Sequence, residues 1–268
     1  MAILKDITLG LYYPSESFVH RLDPRTKLLF ILTMMTTFMV TLSLIKLALA
    51  LMLLVIIIAL SKIPPYLVFS NLRPFFWLLI LTLFFQVLLT RSGQLLLTLP
   101  LIKMNITDVG LKNGLIYSLR LSILILFAAL LTLTTSPMEI TDALGRFLKP
   151  LQRFGISTHE LTLMMTLSLR FIPTLLAEAD KLQKAQMSRG ARFDGNLIQR
   201  IKSVFPIILP LFVSVFRRAD ELALAMDARC YVGGKGRSTF KELSFHYVDY
   251  FVLGINAIFM AILILVKF

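Results

Sequence analysis

Five apolar runs, most of them long enough to cross a lipid bilayer, constrain the fold of this chain more than any other feature. They cover residues 27–44, 46–60, 74–90, 113–135 and 247–266. A helix needs about 20 mostly apolar residues to cross the hydrocarbon core. Hydrophobic residues also make up 57% of the chain, more than the roughly 45 to 50% of soluble domains. The sequence therefore predicts an all-α, polytopic membrane protein with about five transmembrane helices.

Most of the charged residues fall between the fourth and fifth runs. Residues 136–246 hold 16 of the 28 Lys and Arg residues and 10 of the 15 Asp and Glu residues. Basic loops of membrane proteins collect in the cytoplasm, so the net charge of +13 indicates topology and not nucleic-acid binding. We expect residues 1–135 to contain the first four transmembrane helices, residues 136–246 to form a cytoplasmic region, and residues 247–268 to form the last transmembrane helix.

Two further apolar runs lie inside this charged region, at residues 161–177 and 203–216. The first contains Arg170 and Pro173, and the second is only fourteen residues long, so both are poor candidates for spanning helices. They are typical of long amphipathic helices that lie along or against the membrane on its cytoplasmic side. A protein with seven spanning helices remains the alternative.

The same region repeats a phrase. ADKLQKAQMSRG at residues 179–190 returns as ADELALAMDARC at residues 219–230. Aligned without gaps, the copies share five identities at an offset of forty: Ala179 with Ala219, Asp180 with Asp220, Leu182 with Leu222, Ala185 with Ala225, and Arg189 with Arg229. In each copy the leucine, the second alanine and the arginine fall on one face of a helix. The pattern predicts two equivalent helices that each end in an arginine.

Glycines near both arginines fit this prediction. Gly190 follows Arg189 directly, and Gly233 and Gly234 follow Arg229 by a few residues; all are typical helix C-terminal signals. Taken singly, each arginine has a simple reading as a solvated helix end that complements the macrodipole. Two equivalent arginines suggest two equivalent acceptors, as a dimeric cytoplasmic partner with a pair of grooves would offer. A guanidinium group suits such a role because it binds a carboxylate through two parallel donors.

Neither a metal site nor a nucleotide site is indicated. Cys230 is the one cysteine, and the three histidines, His20, His159 and His246, lie far apart. The Gly-rich residues 232–238 lack the GxxxxGK[ST] spacing that holds phosphates. We expect no cofactor, no metal ion and no ATP hydrolysis by this chain itself.

Two competing function classes remain open: a membrane-embedded lipid-modifying enzyme and a stand-alone secondary transporter. Both need ionisable groups within the spanning helices. Asp249 at an edge is nearly the only acid there, and Arg120 in the fourth run is either functional or snorkels to the interface.

Asp23 and Arg25 could hold an ion, but Asp23 before Pro24 is more typical of a helix cap and start.

Motifs at both ends of the chain together resemble one family. They are Tyr13-Pro14 with Ser17, the run from His20 to Lys27 (HRLDPRTK), and the arginine-centred triplets Ser188-Arg189-Gly190 and Ala228-Arg229-Cys230. Over nearly its whole length the chain resembles the transmembrane T component (EcfT/CbiQ-like) of energy-coupling factor (ECF) transporters, the vitamin and metal importers of prokaryotes.

The resemblance implies a non-catalytic subunit of a transporter in the plasma membrane. In that family the two arginine motifs end long cytoplasmic coupling helices, and each fits a groove in one of two ABC-type ATPases. A membrane-embedded S component captures the substrate against an apolar surface, which residues 161–177 and 203–216 would supply. The family more commonly has Ala-Arg-Gly in both motifs, so Ser188 and Cys230 are departures that concern the packing in the grooves. By resemblance only, the length of the chain and its two non-identical motifs fit a module that is shared among several vitamin S components and paired with two different ATPases; a dedicated module remains the alternative.

Overall fold

Helices dominate the structure, a computed structural model that describes residues 12–40, 44–90, 92, 94–99, 104–155, 157–191, 197–233 and 245–265. The helices are α1 (Phe18–Arg21), α2 (Pro24–Val40), α3 (Leu44–Ser61), α4 (Pro65–Ser70), α5 (Phe76–Leu89), α6 (Asp108–Thr134), α7 (Pro137–Phe147), α8 (Thr158–Ser188), α9 (Leu197–Asp227) and α10 (Tyr247–Leu265). Short 3₁₀ turns precede α5 and follow α7. The predicted all-α fold is confirmed.

Several helices have the length and composition of membrane spans. Within the described residues, four segments are long and apolar enough to cross a membrane, and a shorter apolar helix covers Tyr247–Ile262. The four segments are Leu44–Ser61, Pro65–Leu89, Asp108–Thr134 and Thr158–Ser188. Three of them match predicted runs, and the first predicted run forms the 17-residue α2. The fourth segment is α8, which has the lowest mean hydropathy of the set at 1.3.

Two short strands lie between α5 and α6. β1 (Leu95–Leu99) pairs antiparallel with β2 (Met104–Thr107). At the end of β2 the buried hydroxyl of Thr107 donates to the carbonyl of Thr90 at 3.0 Å and accepts the N–H of Gly110 at 3.1 Å. This side chain therefore caps α6 and ties its start to the end of α5. These strands were not predicted from the sequence.

The described residues divide into two compact units. One contains residues 12–140 and 245–265, and the other contains residues 141–233, so the chain passes from one to the other within α7. The boundaries predicted after residues 135 and 246 are meant to divide membrane-spanning segments from a cytoplasmic segment. They stay a prediction, because compactness alone does not place a segment on one side of a bilayer.

Helix α6 lies at the centre of the first unit and packs against α2, α3, α4 and α5. Its buried Phe127 stacks on Phe38 of α2, with ring centroids 6.5 Å apart. Met34 and Leu54 complete the middle of this core. The outward side chains of α5 are also large and apolar, as expected of a helix that faces lipid.

Helices α2 and α10 are joined by one carboxylate. Asp249, which is 1% exposed, accepts the N–H of Asp23 at 2.9 Å and the hydroxyl of Thr26 at 3.1 Å. Its second oxygen accepts the N–H of His246 at 2.9 Å, so the same side chain caps α10. Asp23 itself accepts the N–H of Arg25 at 2.9 Å. The prediction that Asp23 and Pro24 cap and start the first spanning helix is confirmed.

The N-terminal motif folds into a local network around His20. The Ser17 hydroxyl hydrogen-bonds Nδ1 of His20 at 2.7 Å, and Nε2 lies 3.0 Å from the carbonyl oxygen of Tyr13. A carbonyl can only accept, so Nε2 carries the proton and Nδ1 accepts from Ser17 in a neutral ring. Burial lowers the pKa of His20, which agrees with this neutral form. The Nζ of Lys27 then donates to the carbonyl oxygens of His20 and Thr134 at 3.2 and 3.0 Å.

Candidate functional site

Helices α8 and α9 carry the repeated phrase, and the structure makes them a matched pair. Each has 31 residues, and they pack against each other within the second unit. Both helices remain unbroken at their internal prolines, which are Pro173 in α8 and Pro206 and Pro210 in α9. The prediction of two long helices is confirmed; their cytoplasmic placement stays a prediction.

The first arginine motif forms a Schellman cap at the end of α8. Gly190 has a φ of +89°, in the left-handed region that glycine adopts without strain. Its N–H donates to the carbonyl of Met187 at 3.0 Å, and the N–H of Ala191 donates to the carbonyl of Gln186 at 3.0 Å. These are the two bonds that define the motif, and they place Arg189 at the C-cap position.

The second arginine motif forms the same cap at the end of α9. The N–H of Cys230 donates to the carbonyl of Asp227 at 2.9 Å, and the N–H of Tyr231 donates to the carbonyl of Met226 at 3.1 Å. Each donor and acceptor lies forty positions after its counterpart in the first cap. The left-handed residue is Cys230, with a φ of +55°.

The glycine signals predicted for the second motif were therefore wrong in part. Gly233 has a φ of +85°, but it lies beyond the cap and makes neither of its two hydrogen bonds. Gly234 lies outside the described residues. A cysteine at the left-handed position gives no sequence signal, because this conformation disfavours side chains with a Cβ. Only the forty-residue offset from Gly190 pointed to Cys230.

Both arginine side chains are presented to solvent. Arg189 and Arg229 are exposed, and across the part of the chain that the structure describes neither belongs to an ion pair. Their positions at helix C-termini complement the dipole of each helix. Backbone N–H groups already occupy the carbonyls of Gln186, Met187, Met226 and Asp227 in the caps. Within the described residues each guanidinium therefore keeps its five donors for an external acceptor.

The residues beside each arginine leave it accessible. Ser188 turns its hydroxyl back to donate to the carbonyl of Lys184 at 2.9 Å, and Ala228 has no side chain beyond Cβ. Of the predicted repeat face, Ala185 and Ala225 are exposed. The two leucines of that face, Leu182 and Leu222, are half-buried. Each helix end thus presents an arginine among small side chains.

An ion pair that was not predicted from the sequence links the two helices. Nη2 of Arg218 donates to Oε2 of Glu178 at 2.9 Å, and the Ser214 hydroxyl donates to Oε1 of the same carboxylate. Ser214 and Arg218 lie one turn apart on α9, and both reach Glu178 on α8. The available signal was positional: Glu178 and Arg218 immediately precede the two copies of the phrase. An alignment by identity cannot detect a glutamate matched to an arginine.

A row of large apolar side chains on α9 is exposed. Phe205 and Leu209 are 70% and 64% exposed, and Phe212 and Phe216 continue the row with rings 4.7 Å apart. The spacing places all four on one face of the helix. An apolar face of this extent, on a helix that also carries many charges, is typical of a surface that binds a partner or lipid.

The fold and this site together define a polytopic helical membrane protein with a pair of arginine-tipped helices. The sequences of known proteins match this chain over most of its length. A family model described as CbiQ, Cobalt transport protein, matches residues 15–240. The "Energy-coupling factor transporter transmembrane protein EcfT" of Acidaminococcus fermentans is 46% identical over 250 residues, which cover 92% of this chain and 91% of that protein.

Proteins of the same name from two other bacteria are similar to this chain over a comparable length. That of Ruminiclostridium cellulolyticum is 41% identical over 267 residues, covering 99% of each chain. That of Bacillus subtilis is 41% identical over 242 residues, covering 90% of this chain and 91% of its own. The chain belongs to this family of energy-coupling factor transporter transmembrane proteins, the T components. It is a transport subunit, and the resemblance drawn from its motifs is confirmed.

Proposed function

We propose that this chain couples two cytoplasmic ABC-type ATPase subunits to a substrate-binding S component in an importer of vitamins or other micronutrients. Arg189 and Arg229 each bind a carboxylate-lined groove on one ATPase subunit. Motion driven by ATP hydrolysis passes through α8 and α9 to the S component. Residues 136–246 lie on the cytoplasmic side of a prokaryotic plasma membrane.

The observation that carries this proposal is the equivalence of the two caps. A single exposed arginine at a helix end needs no function, because the dipole already accounts for it. Here two helices of equal length end in the same hydrogen-bonded turn, with an exposed arginine at the same position of each. A pair of related ATPase subunits would present two similar grooves, and this is the partner that such a pair of tips fits.

The exposed apolar row on α9 supports the second half of the proposal. A membrane-embedded S component offers an apolar surface of its own. Phe205, Leu209, Phe212 and Phe216 would bury against it, and each large side chain that becomes fully buried contributes about 1.5 to 3 kcal/mol. The arginine tips and this row occupy different parts of the helices. One pair of helices can therefore bind both partners at once.

Co-purification tests the ATPase contacts. The tagged chain is expressed with its ATPases and S component, and the ATPase subunits recovered per chain are counted for native protein, Arg189→Ala, Arg229→Ala and the double variant. Each lost anchor removes charge-assisted hydrogen bonds of about 1.5 to 3 kcal/mol, so the double variant should release most of the ATPase. The matched controls are Arg170→Ala and Arg217→Ala, exposed arginines in the same two helices. Native recovery by the double variant would overturn the proposed contacts.

A further inference from the structure

We infer that Glu178, Ser214 and Arg218 form a pivot that fixes the two arginine tips relative to each other, which makes them positioning residues for coupling. The pivot itself is defined by contacts within the second unit. Its importance for transport rests on the proposed function.

The pivot is a directional contact. The Glu178 carboxylate receives one hydrogen bond from the Ser214 hydroxyl and one from Nη2 of Arg218, so both oxygens are used. The side chains are half-buried, with 24% of Glu178 and 40% of Arg218 exposed. Across the described ranges it is the one ion pair that links α8 to α9. Two bonds to one carboxylate fix the rotation and register of the helices, whereas apolar contacts allow them to slide.

The pivot is placed symmetrically with respect to the tips. Arg189 lies eleven positions after Glu178, and Arg229 lies eleven positions after Arg218. At 1.5 Å per residue each arginine lies about 16 Å along its helix from the contact. A small change of angle at the pivot therefore moves both tips by similar amounts. Glu178 and Arg218 occupy equivalent positions of the repeat, so the distances from their contact to Arg189 and to Arg229 are equal.

This geometry gives the pivot a role that differs from that of the arginines. Each arginine holds one partner, and the pivot sets the distance between the two points of attachment. Without it, both ATPase subunits can still bind, but a movement of one tip is no longer transmitted in full to the other helix. Loss of the pivot should lower transport per ATP hydrolysed and leave the ATPase subunits attached.

Charge reversal provides the functional test. Uptake, ATP hydrolysis and ATPase recovery are measured on the full complex for Glu178→Gln, Arg218→Gln, and the exchanged pair Glu178→Arg with Arg218→Glu. Each single variant should lower uptake per ATP by about fivefold with native ATPase recovery, and the exchanged pair should restore most of it. The control is Asp180→Asn, which removes the exposed ion pair that Asp180 makes with Lys184 on the same helix and should leave uptake unchanged.

A distance measurement tests the pivot without transport. Spin labels on the native, exposed Cys230 and on Met187→Cys, also exposed, report the separation of the two helix ends in the full chain. One narrow distance distribution is expected for the native pivot, a broader one after Glu178→Gln, and a narrow one again in the exchanged pair. Identical distributions in all three would overturn the pivot. Broadening with normal uptake per ATP would overturn its role in coupling and leave the arginine contacts standing, whereas normal ATPase recovery in the double arginine variant would overturn those contacts instead.

Discussion

The Oδ1 atom of Asp249 accepts the backbone N–H of Asp23 at 2.9 Å, so a carboxylate near the end of the chain caps a helix near its beginning. The two residues are separated by 226 positions. The same carboxylate accepts the N–H of His246 and thereby caps its own helix as well. This one side chain fixes the start of α2 against the start of α10.

Removing the Asp249 carboxylate should destabilise the protein strongly. Asp249→Ala leaves two helix starts without their shared acceptor and should lower the free energy of unfolding by about 3 kcal/mol. Asp249→Asn keeps one acceptor oxygen and should cost less. The thermal midpoint in detergent is the measurement, and Asp108→Ala, an exposed carboxylate in the first turn of α6, is the control at about 0.5 kcal/mol. Equal midpoints for Asp249→Ala and the control would show that Asp249 does not join the helices.

Stability should also depend on pH through His20. Burial lowers the pKa of this ring below its ordinary value, so the folded state resists protonation where the unfolded state accepts it. As pH falls below about 6.5 the unfolded chain binds a proton that the folded chain does not, and stability decreases until the folded pKa is reached. Thermal midpoints at pH 7.5 and pH 5.5 test this in native protein and in His20→Gln. An equal acid-induced decrease of the thermal midpoint in both proteins would show that His20 does not cause the pH dependence.

The left-handed Cys230 should be an imperfect cap residue. At this φ a Cβ is unfavourable, so Cys230→Gly should stabilise the end of α9 by about 1 kcal/mol, and Gly190→Ala should destabilise the end of α8 by a similar amount. Apart from Gly190 and its two chain neighbours, no atom of the described residues lies within 4 Å of the position that a Cβ on Gly190 would occupy, so the cost there is conformational. Hydrogen exchange of the peptides covering each helix end measures both effects. Faster exchange in Cys230→Gly would contradict the cap.

The sequence predicted the parts of this site that repeat. The offset of forty located Arg189 and Arg229, and Gly190 marked a helix end because glycine is the usual residue in that conformation. Cys230 could not be identified as a cap residue, because its conformation is imposed by the turn and is not favoured by its own side chain. The Glu178 to Arg218 pair could not be predicted from identities either, although its positions follow the repeat.

Contacts between distant parts of the chain could not be predicted from the sequence for a different reason. Nothing in the local pattern around Asp249 indicates that its partner is Asp23, since the pairing depends on how the spanning helices assemble. The position of Asp23 before Pro24, by contrast, is a local cap signal, and it was predicted correctly. Local hydrogen bonds have sequence patterns, whereas a shared cap across 226 positions has none.

The ratio of substrate imported to ATP hydrolysed tests most directly whether the two arginines transmit the work of ATP hydrolysis. The complete transporter is reconstituted in liposomes, and both rates are measured for native protein, for Arg189→Ala with Arg229→Ala, and for the double Lys variant. The double Ala variant should lose at least about tenfold in this ratio, and the double Lys variant should lose less, because lysine keeps the charge without the planar fork. A native ratio in the double Ala variant, with Arg170→Ala and Arg217→Ala also native, would contradict the account and leave both arginines as solvated helix ends.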